Sequence, residues 1–124
     1  MRLMIIGSLD GQIGAASKIA MQRGAKVAHV PDLEAGLTAL RSGQGADLVM
    51  MDATLDVGGF IRSLEQERIS IPVVACGVGT DASIAVSAIK AGAKEYIPLP
   101  PEPELIAAVL QAVTEETKTM VFRD

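Results

Sequence analysis

Three runs in this chain, Leu3 to Ile6, Leu48 to Met51 and Val73 to Cys76, are apolar at every position. A strand with one face in water alternates apolar and polar residues, whereas a strand without alternation has both faces covered. Each run is short and is followed within a few residues by glycine or aspartate, which marks strands rather than buried helices. The chain is therefore expected to lay short strands inside a parallel sheet with helices on both faces. No apolar run is long enough to cross a bilayer. Met1 leads directly into Arg2 to Ile6, without the apolar length and small-residue cleavage pattern of a signal peptide, so a cytoplasmic location without membrane contact is expected.

The segments between the runs carry helical periodicity and complete a five-fold β-then-α rhythm. Strand one is Arg2 to Ile6. Helix one spans about Gln12 to Gln22, with Ile13, Ala16, Ile19 and Ala20 at helical spacing and Gly24 as its stop. Strand two is Ala25 to Val30, and Pro31-Asp32 opens helix two, with Leu33, Leu37 and Leu40 as its buried stripe. Strand three is Asp47 to Met51. The next helical pattern begins at Phe60, with Ile61 and Leu64 marking helix three, Ile71-Pro72 leads into strand four, and helix four runs from about Ala82 to Ala91. Strand five is Glu95 to Ile97, ended by Pro98 and Pro100-Pro101, and helix five lies near Glu102 to Thr114. A doubly wound sheet is the natural architecture.

At 124 residues and 49% hydrophobic content the chain forms one domain with a real core. A net charge of −4 with scattered basic residues argues against direct contact with nucleic acid. The lone cysteine, Cys76, sits inside an apolar run and reads as a buried thiol.

Asp52 is the residue with the clearest functional reading. It ends the run Leu48 to Met51 and precedes a Gly-containing loop, which places a carboxylate at a carboxyl-terminal strand edge, where open α/β sheets gather ligands. The simpler reading is that Asp52 opens its loop by accepting local backbone hydrogen bonds. Gly7, Gly11 and Gly14, with Asp32 after strand two, form a loose counterpart of a dinucleotide fingerprint, although their spacing is not G-x-G-x-x-G. His29 reads as a solvent-facing residue near the end of its strand, and no function is assigned to it.

In order and loop length, the chain resembles the receiver domains of two-component response regulators from Arg2 to about Thr114. The resemblance rests on Asp52 after strand three, on Ile71-Pro72-Val73-Val74, and on Ala91 to Ile97 followed by Pro100. It implies a flavodoxin-like (βα)5 fold with Asp52 as the phosphoacceptor-equivalent. Aspartyl phosphate chemistry needs an attacking carboxylate, a magnesium ion and usually a lysine. Here the acidic pair that holds the metal in receivers is matched by Gly7 and Ser8, the hydroxyl residue after strand four by Gly77, and the lysine after strand five by Leu99. Asp10 and Asp56 are nearby carboxylates that could lend a metal an oxygen, though each also suits its own loop. No metal or cofactor is expected, and the chain is not expected to be an enzyme. The alternative is an authentic phosphorylated receiver, with Asp10 standing in for the acidic pair.

Gly24-Ala25-Lys26-Val27, Gly45-Ala46-Asp47-Leu48, Val73 to Val78 and Glu95 to Pro101 look more closely like the amino-terminal domain of FlbD-type, sigma-54-dependent flagellar regulators. That resemblance implies a receiver-like domain at 1–117 and, at 118–124, the start of a linker toward an AAA+ domain. It also implies control by a protein partner, a flagellar assembly factor, rather than by phosphorylation. Helix five has Ile106, Val109, Leu110 and Val113 as its buried stripe, which leaves Leu105, Ala108 and Ala112 outward. With Ile84, Val86 and Tyr96, these are expected to form an apolar interaction face for a partner or a homodimer.

Overall fold

The computed structural model describes residues 1–7, 12–78, 82–100 and 102–122, with side chains described outside 12–13 and 113–122. Five strands alternate with five helices: β1 (Arg2–Ile6), α1 (Gln12–Gln22), β2 (Lys26–Val30), α2 (Leu33–Arg41), β3 (Leu48–Asp52), α3 (Val57–Gln66), β4 (Val73–Val78), α4 (Ala82–Lys90), β5 (Glu95–Leu99) and α5 (Pro103–Phe122). The strands form one parallel sheet in the order β2-β1-β3-β4-β5.

The unbroken apolar runs follow from two cores on opposite sheet faces. Leu3, Ile5, Leu48, Met50, Val74 and Cys76 pack beneath Ala16 and Ala20 of α1 and Ile106, Val109 and Leu110 of α5. Met4, Ile6, Val49, Met51, Val73 and Ala75 pack on the other face with Phe60 and Leu64 of α3, Ala88 of α4 and the leucines of α2. Successive residues of the runs 3–6, 48–51 and 73–76 thus serve different cores, and none can be polar without leaving one of them open.

Three element boundaries differ from expectation by two residues or more, each for a local reason. Helix α3 starts at Val57 rather than Phe60, because Asp56 caps it by accepting the Gly59 amide at 3.0 Å, which brings Gly58 and Gly59 into the helix. Strand β5 continues through Pro98 to Leu99. It is an edge strand, where a missing N–H leaves no interior ladder bond unmade. Helix α5 runs past Thr114 to Phe122, since no glycine or proline stops it, and so enters the stretch 118–124 assigned above to a linker.

Candidate functional site

Asp52 closes β3 opposite Cys76 and is the buried charged residue of the described core, 8% exposed. Its Oδ1 accepts the Thr54 amide at 2.8 Å and the Thr54 hydroxyl at 2.7 Å. The loop-opening role and the strand-edge position therefore coexist: the carboxylate ends its strand with one oxygen engaged in its own turn.

Gly7 lies directly against it. A Cβ on Gly7 would stand 2.8 Å from Asp52 Cβ, and the glycine adopts φ +109°, which side chains rarely reach. The backbone after β1 thus occupies space that a charged side chain would need. Its amide donates to the Val30 carbonyl at 3.1 Å, and its carbonyl accepts a hydrogen bond from His29 Nε2 at 2.5 Å. His29 is exposed, as expected, yet it ties the strand β2 edge to the segment beside Asp52. Sequence reasoning missed this contact, because the partner atom is a backbone carbonyl brought close by sheet register.

The other two positions matched to receiver functional residues are filled in different ways. At Gly77 a Cβ would overlap the Tyr96 hydroxyl, so the tyrosine of β5 reaches across to the end of β4. Leu99 is 4% exposed and belongs to the core under α1 and α5, as befits an aliphatic side chain. The peptide that follows, Leu99-Pro100, is cis. Cys76 is buried as expected, and its thiol is pushed up to about 12 by burial and then by the Asp52 charge.

The remaining carboxylates have structural work or lie elsewhere. Asp56 caps α3, and Asp32 caps α2 by accepting the Ala35 amide at 2.8 Å, which gives the acidic residue of the dinucleotide reading a structural role in its own helix. Ser8, Asp10 and Gly11 fall outside the described residues. Among the described residues, no three His, Cys, Asp or Glu side chains converge. At this crevice they offer a hard dication one carboxylate, already half engaged, where magnesium wants a shell of six oxygens.

The expected interaction face is only partly outward. Val86 and Ile89 of α4 are 50% and 47% exposed, and Ala108 and Ala112 of α5 are exposed. Helix α4 buries only Ala88, so most of its apolar surface faces solvent. Tyr96 is half-buried against the second core. Ile84, also half-buried, lines a cleft of about 280 Å³ with Leu55, Val57, Gly58 and Ala91. Leu105 corrects the expectation: it leans on the core under α1 and α5 instead of standing clear of it. The helix turn that buries Ile106 carries its neighbour partway in.

Strand order, two-sided core and a strand-edge aspartate together define a receiver fold. The solved structures agree: NtrX from Brucella abortus in complex with ADP superposes with TM-score 0.84 at 21% identity, over 96% of this chain and 27% of that one. The receiver domain of NtrX matches with TM-score 0.79 at 20% identity, over 91% of this chain and 98% of that one. The signal receiver domain of a Luxo repressor protein from Vibrio parahaemolyticus gives 0.82 at 13% identity, over 99% and 96%.

No protein-family profile matches the chain. In sequence the chain is a homologue of the transcriptional regulatory protein FlbD of Caulobacter vibrioides (strain ATCC 19089 / CIP 103742 / CB 15), 59% identical over all 124 residues. It spans 27% of that relative's length.

Proposed function

We propose that this chain is the regulatory receiver-like domain of a sigma-54-dependent flagellar transcription activator, and that it acts through protein contacts rather than phosphorylation of Asp52. The observation that carries the reading is the set of neighbours around Asp52. Gly7, which the resemblance matches to a metal-holding acid, brings its backbone against Asp52, Tyr96 takes the space at Gly77, and Leu99 is packed in the core. With buried Leu99 at the position the resemblance gives to a lysine, a phosphoryl dianion there would lack the counter-charge that burial demands. The likeness to the transcriptional regulatory protein FlbD supports a place in transcription control; an AAA+ domain and a flagellar assembly factor are the partners proposed with it. In this reading, residues 118–124 lead out of the domain and the protein works in the cytoplasm. The described helices include none long and apolar enough to cross a membrane. Contact with a partner, or with a second copy, falls on the exposed apolar part of α4, Val86 and Ile89, and on Ala108 and Ala112 of α5.

A second reading, a phosphorylated receiver, is favoured by the strand-edge placement of Asp52 itself. Incubation with acetyl phosphate and magnesium separates the two. Under the first reading the intact mass stays unchanged. A stoichiometric phosphoryl adduct lost in Asp52→Ala would overturn it in favour of the second.

A further inference from the structure

Two basic side chains share one face at the end of the sheet remote from Asp52. Arg2 and Lys26 are in-register partners on β1 and β2, so both leave the same side of the sheet as Met4 and Ala28 two residues on. All four line a cavity of about 240 Å³ whose far wall is the loop through Gln44, Gly45 and Ala46. The Arg2 guanidinium lies against that loop, with Nη1 3.4 Å from where a Cβ on Gly45 would be. Asp47 closes the corner with its backbone contacts: its Oδ2 accepts the Arg2 amide at 2.7 Å, and its own amide donates to the Arg2 carbonyl at 2.8 Å. Arg41 pairs with Glu67, but neither Arg2 nor Lys26 has an acidic side chain in salt-bridge contact among the described residues. Two cations against the single Asp47 carboxylate leave the corner with an excess of positive charge in a chain of net charge −4.

We propose that this pocket docks an acidic side chain of a partner protein, set in an apolar stretch whose neighbouring residue covers Ala28 and Ala46. The guanidinium fork suits a carboxylate, and Lys26 adds a second charge from the adjacent strand. Ala28 and Ala46, both half-buried, give the pocket an apolar area that a bare ion would leave uncovered. The site lies at the amino-terminal strand ends, roughly 15 Å along five-residue strands from the Asp52 edge, and stands or falls independently of the proposed function.

The test uses two labelled, end-capped pentapeptides, Leu-Glu-Leu-Asp-Leu and its neutral counterpart Leu-Gln-Leu-Asn-Leu. Binding is read by polarisation and by amide shifts in NMR spectra of the chain. The acidic peptide is expected to bind, to shift Ala28, Gly45 and Ala46, and to weaken with salt, while the neutral one does not bind. Arg2→Glu with Lys26→Glu should weaken binding about tenfold or more. Lys26→Gln, a milder change at an exposed position, should weaken it in the same direction. Equal binding of both peptides, shifts confined to another surface, or no binding at all overturns the proposal. So does inorganic phosphate shifting the same amides as strongly as the peptide, which would mark a bare anion site.

Discussion

The Tyr96 hydroxyl lies where a side chain on Gly77 would begin, so the last residues of β4 and the middle of β5 share one small volume. Glycine is required there by the neighbour and not by backbone conformation. Gly77→Ala must push the ring aside, and we expect a loss of about 1–3 kcal/mol of stability. Tyr96 is the single tyrosine in a chain without tryptophan, so near-ultraviolet circular dichroism reports its environment directly. The Tyr96→Phe background, which removes the overlapping hydroxyl, should recover part of the loss in a double-mutant cycle. Strict additivity would mean that the two positions do not compete.

Gly7 and Gly14 should respond in opposite directions to the same substitution. Gly7→Ala meets both a positive φ and Asp52 Cβ, and should cost about 2 kcal/mol or more. Gly14 sits in α1 with nothing within 4 Å of its would-be Cβ, and Gly14→Ala should add about 0.5–1 kcal/mol through helix propensity. Urea midpoints of the two variants decide the matter, and equal signs would contradict the geometry.

Alkaline pH should weaken the fold through Cys76. Its folded thiol is pushed up to about 12, above its unfolded value, so the contribution is complete below the unfolded value and fades as pH rises toward 12. The unfolded chain loses this proton first, and stability should fall above pH 9 with a slope of up to about 1.4 kcal/mol per pH unit from this group. Cys76→Ala should flatten that part of the curve. Ellman's reagent should react with the native protein slowly at pH 8, since the thiol is neutral and buried.

Val86→Glu with Ile89→Lys should leave the melting temperature nearly unchanged, because both side chains are about half exposed. The same variant should lose self-association, partner binding or transcriptional control in the full-length protein. If all three persist, this surface is not the functional one. Leu105→Glu is a poorer probe, since its contact with the core would mix destabilisation with lost binding.

Magnesium should not raise the melting midpoint of the domain. A ligand that binds only the native state stabilises it by mass action, and the described residues supply a single half-engaged carboxylate at the crevice. A concentration-dependent rise abolished by Asp52→Ala would show that the ion finds further ligands.

The sequence alone determined the fold, because the continuous apolar runs of β1, β3 and β4 are compatible only with two covered sheet faces, and the intervening helical periods supply the covers. It also placed Asp52 at a strand edge and Cys76 in the interior, since both follow from position along a run. Local caps were partly legible: Asp32 was placed at the start of α2, but the start of α3 was set three residues late because Gly58 and Gly59 mask the Asp56 cap. Only the tertiary structure decided what surrounds the aspartate. The approach of Gly7 to Asp52, the reach of His29 to the Gly7 carbonyl and the overlap of Tyr96 with Gly77 each join residues on different strands. Such contacts depend on register and twist to within an ångström, and a one-dimensional pattern holds neither. The same holds for Arg2 and Lys26, scattered charges in the sequence that parallel pairing sets side by side.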